Sequence, residues 1–381
     1  MLAFAALFAA PAAAQQDGVR LIGRWLPPQS APTATYAGSS VVLSFKHSSM
    51  VSADFTVSNT KGGEELFISI AVDGGRLVRV GLSRGEHRGV LLATGLSSRA
   101  HLVTVRKEGE PIFGALQFSK PTLDVGGRWL PITGDRPIIE VIGDSDATGI
   151  CALGPDSPQD PVSIWNSQWA SESLSWVGRL EAGLAAVGHP ADVVDLAISG
   201  SKTGSEAESY DYTAPGYSAA KFGEYPPPGR KHASLVFLWG GGNDRHGGGD
   251  IASGTAPGSG AVTYANLSNF QKGVYDQLTK ILARNPDAKA VLLDYIDPTV
   301  PDWEPAYDQL ETLFSDPDRQ RILFLRVRVT KGMQDACEVD PKGHPNVSLH
   351  SAWAAQILAW MLSKDIFGQF GFPSGEDWGD L

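Results

Sequence analysis

The chain has 381 residues, 42% of them hydrophobic and 19% charged, a composition that suits one large or two smaller globular domains and argues against disorder. With a formal net charge of -11 it lacks the basic face that nucleic acid and anionic membranes require. A neutral ligand such as a sugar is compatible with that charge.

The chain opens "MLAFAALFAAPAAAQQ", apolar from Leu2 to Ala10, broken by Pro11 and finishing in Ala12 to Ala14 before Gln15. That is the hydrophobic region and A-x-A cleavage site of a signal peptide, residues 1–14, although no Lys or Arg precedes it. Export to a periplasm or to the medium is therefore expected. The run is too short to cross a bilayer and no later segment approaches the roughly 20 apolar residues a spanning helix needs. Cys151 and Cys337 are the only cysteines, an even number in a chain read as exported, and the plainer reading of them is two buried thiols.

From Gly18 to Gly134 short runs alternate with a period of two. Val51, Ala53, Phe55 and Val57 alternate with Ser52, Asp54, Thr56 and Ser58, and Ile68, Ile70 and Val72 lead into the turn Asp73-Gly74-Gly75. Further runs lie at Val41–Phe45, Leu77–Leu82, His101–Val105 and Phe113–Phe118. Strands at this spacing with no helical stretch between them predict a β-sandwich over residues 18–134.

After Pro137 the pattern becomes strand, helix, strand. Ile138–Ile142, Val193–Ile198, Leu235–Trp239, Ala290–Tyr295 and Ile322–Val327 are short apolar runs suited to a parallel sheet buried on both faces. Between them, helices are predicted over Gln168–Val187, Thr263–Arg284, Pro305–Phe314 and Ser348–Ser363. Residues 135–381 thus read as a three-layer α/β domain with a five-stranded parallel sheet, in which ligands bind beyond the carboxyl ends of the strands.

Those strand ends carry the chemistry. Ser145 follows the first strand in "VIGDSDATG"; a helix cap or turn is the common fate of such a serine, and its place on this edge makes it a candidate nucleophile. Gly200 follows the second strand in "AISGSKTG", where the lack of a Cβ lets backbone approach a ligand. Asn243 follows the third in "LWGGGNDRHGGG" and offers a neutral amide donor for a developing oxyanion. Of the eight histidines, His47, His87, His101, His189 and His232 fall in the sandwich or on the amino-terminal edge and read as surface or structural. His246 has the correct edge without a partner that can be named, and His350 reads as a helix residue. His344, in the loop before the last helix, is the candidate base.

The set Gly143-Asp144-Ser145, Gly200, Gly242-Asn243-Asp244 and His344 resembles the four blocks of the SGNH hydrolases, also called GDSL esterases. The resemblance implies Ser145 as nucleophile, His344 as base, and an oxyanion hole made by the N–H groups of Ser145 and Gly200 with the Asn243 amide. "GRWLP" near Gly23, "LATGLSSRAHLVTVRKEGEP" and "FGALQFSKPTLDVGGRWLP" resemble the jelly-roll of carbohydrate esterase family two, which joins such a domain to an SGNH domain. A serine esterase that removes O-acetyl groups from carbohydrate through an acyl-enzyme is implied, with acetylated carbohydrate as partner and neither metal nor other cofactor. An exported SGNH acyltransferase, a lipid or short-acyl esterase, and a lapsed enzyme that only binds sugar are the alternatives.

Three departures from the family pattern matter. Asp146 places an extra carboxylate beside the nucleophile, while Asp144 is expected to hold the turn by hydrogen bonds. The usual acid position three residues before the histidine is Pro341, and the nearest carboxylate is Asp340, so a dyad oriented by a backbone carbonyl rivals a triad. The Gly-rich insert from Gly240 to Gly260 is long and open, able to move over the site. A hydrolase fold would bring Cys151 and Cys337 to one edge, which implies a disulfide between the two catalytic loops. Trp303 and Trp165 are the candidate sugar-stacking aromatics, with core packing the competing role.

Overall fold

The computed structural model describes residues 17–26, 31–58, 65–134, 136–154, 166–201, 232–239, 243, 267–296, 303–313, 320–328 and 344–369. Residues 1–16, which hold the expected signal peptide, lie outside these.

The first half is two antiparallel sheets. One runs in the order β1 (Val19–Ile22), β4 (Ser40–Lys46), β9 (His101–Lys107), β6 (Leu66–Val72) and β7 (Val78–Leu82), with β11 (Arg128–Trp129) paired to β4. The other runs β2 (Trp25–Leu26), β3 (Thr33–Ala34), β10 (Ala115–Leu123), β5 (Met50–Ser58) and β8 (Gly85–Thr94). The period-two residues become the core between them: Val51, Ala53, Phe55 and Val57 from one sheet meet Leu43, Phe45, Ile68, Ile70, Val103 and Val105 from the other. β8 carries no alternation that would announce it, because "GEHRGVLLAT" is charged and Gly-broken and pairs with β5 through two register shifts. β10 outlasts the expected run because an irregularity between Ser119 and Thr122 accommodates Lys120 at φ 47 and Pro121 within the strand.

The second half holds a parallel sheet in the order β13 (Asp192–Asp195), β12 (Ile138–Ile142), β14 (Leu235–Trp239), β15 (Lys289–Ile296) and β16 (Ile322–Arg328). Its described helices are α1 (Ser145–Thr148), α2 (Trp176–Ala186), α3 (Asn269–Arg284), α4 (Trp303–Leu313), α5 (Val347–Ser363) and α6 (Ile366–Gln369). Alternate residues of β14 show the layering. Leu235, Phe237 and Trp239 pack with α2, α5 and α6, whereas Val236 and Leu238 pack with α3 and α4. The sheet is thus covered on both faces, as continuous apolar strands require. None of the described helices is long and apolar enough to cross a membrane.

Three expected elements have different bounds. The helix expected from Gln168 is two 3-10 turns, Ser167–Trp169 and Glu172–Leu174, before α2 starts behind the Ser175 cap. The reason is tertiary: Arg79 of the sandwich takes the carbonyls of Ser167, Gln168 and Ala170, and Glu108 takes the Ser171 hydroxyl. The second parallel strand stops at Asp195, whose carboxylate accepts the Ala197 N–H at 2.8 Å and turns the chain. α3 starts at Asn269, where Ser268 and Gln271 form a reciprocal capping box.

Candidate active site

From β12 the chain goes to β13 on one side and then passes back to β14 on the other, so β12 stands at the topological switch point. A crevice opens at the carboxyl ends of strands in this position. The segments that follow β12, β13 and β14 in the chain carry Ser145, Gly200 and Asn243 respectively.

The turn after β12 carries several bonds of its own. Asp144 is the N-cap of α1, and its Oδ1 accepts the Asp146 N–H at 3.1 Å while its backbone carbonyl accepts the Ala147 N–H at 3.0 Å. This is the turn-holding role the sequence suggests for Asp144. Ser145 is the first residue of α1 and partly exposed, and Thr148 Oγ1 donates to the Ser145 carbonyl at 3.1 Å. Gly149 ends the helix at φ 72, and a Cβ there would lie 2.3 Å from the Ser171 carbonyl oxygen. Fully buried Cys151 follows with φ 60.

The turn after β13 is held from outside. Ile198 donates its N–H to Gly143 O at 3.0 Å, beside the Ser145 turn. Ser201 N–H closes a β-turn on Ile198 O at 3.2 Å, and Gly200 sits at its third position with φ 82, the conformation a type II turn asks of glycine. Ser199 donates its N–H to Glu110 Oε2 at 2.7 Å and its hydroxyl to Glu110 Oε1 at 2.5 Å. Asn243 Nδ2 donates to Ser201 O at 3.1 Å. An amide nitrogen carries two hydrogens, so that bond fixes the plane of the Asn243 side chain and leaves its second N–H for other use. Asn243 is thereby joined to the turn after the second strand.

His344 is partly buried and precedes α5, which starts behind the Asn346 cap, whose Oδ1 accepts the Leu349 N–H at 3.0 Å. His350 is a core residue: Nδ1 accepts the Trp176 N–H at 3.2 Å, and burial, with Arg179 and His344 nearby, lowers its pKa to about 3. The other described histidines are structural or at the surface; His101 bonds Asp73, and His189 stacks on Phe367. Asp340, Cys337, Trp165, His246 and, apart from Asn243, the insert from Gly240 to Gly260 lie outside the described residues. Trp303 begins α4, and its side chain is likewise outside them.

Sequence reasoning missed the charged seam behind these turns. Lys107, Glu108 and Glu110 of the sandwich and Glu172 and Asp195 of the α/β domain are all buried. Arg106 pairs with Glu172 at 3.0 Å and with Glu181, and Arg20 pairs with Asp192. Burial pushes the pKa of Asp195 well up, helped by the neighbouring Glu172 and Glu110, and pushes that of Lys107 down to about 7 against the pull of Glu110. The signal was in "RKEGEP", whose charges interrupt an otherwise apolar strand pattern.

The fold defines the class: a β-sandwich followed by a three-layer α/β domain with a five-stranded parallel sheet, the architecture of the SGNH fold. Within it the chain is similar to carbohydrate esterase family two. Residues 21–132 match the family model described as carbohydrate esterase 2 N-terminal. A family two carbohydrate esterase from Clostridium thermocellum, solved with cellohexaose, superposes with TM-score 0.68 at 17% identity, over 92% of this chain and 100% of that one. The acetyl xylan esterase Est2A from Butyrivibrio proteoclasticus gives 0.71 at 15% identity, over 93% and 96%. A salicylyl-acyltransferase of a tetracycline biosynthetic pathway gives 0.59 at 16%, over 92% and 96%. No curated protein sequence matches the chain.

Proposed function

We propose that this protein is an exported serine esterase that removes O-acetyl groups from carbohydrate. The observation that carries the reading is that Ser145, Gly200 and Asn243 follow three adjacent strands around the switch point, Asn243 being bonded to Ser201 of the Gly200 turn. The likeness to family two esterases supports the substrate class.

Ser145 Oγ attacks the acetyl carbon while His344 accepts its proton. The oxyanion is held by the N–H of Ser145, a first-turn donor with no partner inside its helix, by the N–H of Gly200 and by Asn243 Nδ2. The intermediate collapses, the sugar oxygen leaves with the proton from His344, and acetyl-Ser145 remains. Water gives a proton to the same histidine and attacks, releasing acetate and restoring Ser145. A dyad with His344 oriented by a backbone carbonyl is the form adopted here, because Pro341 occupies the usual acid position. Cys151, buried behind the nucleophile turn, is paired in this reading with Cys337.

Acetate release from a panel of acetylated oligosaccharides, run beside a short acyl ester of a chromogenic phenol, tests the proposal. Cleavage of the phenyl ester with no acetylated sugar accepted would move the protein to another esterase class. The fold likeness to an acyltransferase favours one second reading, transfer of the acyl group to a sugar hydroxyl. Its mark is an acetylated acceptor formed in place of free acetate.

A further inference from the structure

The sandwich is more than a neighbour of the α/β domain, because one of its loops enters the back of the site. After β9 the chain reads Lys107-Glu108-Gly109-Glu110, and all three charged residues in it are essentially buried. Glu108 Oε2 accepts the Ser171 hydroxyl at 2.8 Å and the Ser173 N–H at 3.2 Å; Ser171 in turn donates its N–H to Gly149 O at 2.9 Å, at the end of α1. Two residues on, Glu110 takes both the N–H and the hydroxyl of Ser199. A single loop thus backs the nucleophile turn through one carboxylate and the turn after β13 through the other.

Burying Glu110 beside Lys107 is a poor route to stability, since desolvating two charges cancels most of their attraction. Lys107 Nζ donates to the backbone carbonyls of Gly109 and Glu110, which pins the loop that aims the carboxylate. What the arrangement secures is geometry. Gly200 N–H belongs to the central peptide of the turn Ile198–Ser201, and that peptide flips by rotation about Ser199 ψ and Gly200 φ. The glycine resists little, as a Cβ placed on it would meet nothing within 4 Å. Resistance must come from the flanks, and there Ser199 is fixed at two atoms by Glu110 and Ser201 at its carbonyl by Asn243.

We propose that Glu110 is a positioning residue for catalysis, supplied by the sandwich domain, which holds the Ser199–Gly200 peptide with its N–H set to receive the oxyanion. The proposal rests on the reading of Gly200 as an oxyanion donor. A misdirected donor weakens binding of the transition state and not of the ground state, so its mark is a fall in kcat without a rise in KM.

The test uses the whole protein and a chromogenic short acyl ester, with kcat expressed per folded molecule well below the thermal midpoint. Glu110→Gln, nearly isosteric but with one acceptor lost, should lower kcat about tenfold or more and leave KM within about twofold. Ser199→Ala removes only the hydroxyl bond and should lower kcat by a few-fold with KM unchanged, and it carries the test if Glu110→Gln does not fold. Combined, the two should cost no more than Glu110→Gln alone, because they break one interaction. Wild-type kcat in folded Glu110→Gln or folded Ser199→Ala, or a loss that vanishes on correction for folded fraction, overturns the proposal. Ser145→Ala in the same series separates the two readings: if it is inactive while the Glu110 and Ser199 variants are normal, only the Glu110 role falls, and if it is active the oxyanion reading falls first.

Discussion

The turns after β12 and β13 lie side by side at one sheet edge and differ in how far they are shaped by their own side chains. The turn that carries Ser145 is capped by its own Asp144 and tied by its own Thr148. The turn that carries Gly200 has a β-turn bond of its own and otherwise depends on Gly143, Asn243 and, across the domain boundary, Glu110. Under the proposed function Ser145 must present one side-chain atom, and a capped helix start does that locally. Under the same proposal the Gly200 N–H must be aimed at a point defined by another turn, which takes bonds from the segments that define that point.

The largest effect expected is on the Ser145 turn. Ser145→Ala should fold normally, since its side chain makes none of the bonds that shape the turn, and should lose ester cleavage by roughly 10⁴–10⁶-fold. Turnover near normal in a folded variant removes the nucleophile assignment.

Next come the two glycines, whose substitution separates the two turns by stability. Gly149→Ala drives a Cβ against the Ser171 carbonyl at 2.3 Å in a left-handed conformation and should cost about 2–5 kcal/mol in chemical denaturation. Gly200→Ala meets open space and should cost only the conformational strain of about 1–2 kcal/mol. Equal losses would show that the two turns do not differ in the way described.

A smaller effect is expected at the foot of the borrowed turn. Burial raises the Asp195 pKa above its ordinary 3.8, so the folded protein holds a proton that the unfolded chain releases. Stability is therefore lost as pH rises from about 4 towards the folded value. Asp195→Asn keeps the acceptor for the Ala197 N–H and cannot ionise, so it should raise the thermal midpoint at pH 7, by a stabilisation on the order of 1 kcal/mol, and match the wild type near pH 4. A variant less stable than the wild type at pH 7 would mean that the carboxylate is charged and paired in the fold.

The smallest effect is predicted for Asp340→Asn, which under the dyad reading changes turnover by no more than about threefold, against roughly 10⁴-fold for loss of a true orienting acid. In either case kcat/KM should fall towards acid pH, because a protonated His344 accepts no proton from Ser145. A thousandfold loss in folded Asp340→Asn restores the triad.

Much of this was legible in the chain because it is written in local pattern. Period two gave the sandwich strands from Val41 to Phe118, and continuous apolar runs gave each strand of the parallel sheet to within a few residues. Ser145, Gly200 and Asn243 could be assigned to one edge because parallel strands all end on the same side. β8 was hidden by its charges and glycines, and the two-residue strands β2, β3 and β11 are too short to show a period. The stretch from Gln168 has a helical pattern that failed because Arg79, far away in sequence, claimed its carbonyls.

The sequence by itself determined the two domain types, the strand ends on which candidate chemistry sits, and the Asp144 cap that shapes the Ser145 turn, since each depends on neighbours within a few residues. Only the tertiary structure decided that Glu108 and Glu110 are buried behind those turns and that Ser199 is held from the other domain. In a sequence, Glu110 is a charged residue in a polar loop and reads as solvated. A buried carboxylate is recognised by the partners that offset its desolvation, and here Ser199 lies 89 positions along the chain, beyond the reach of any local pattern.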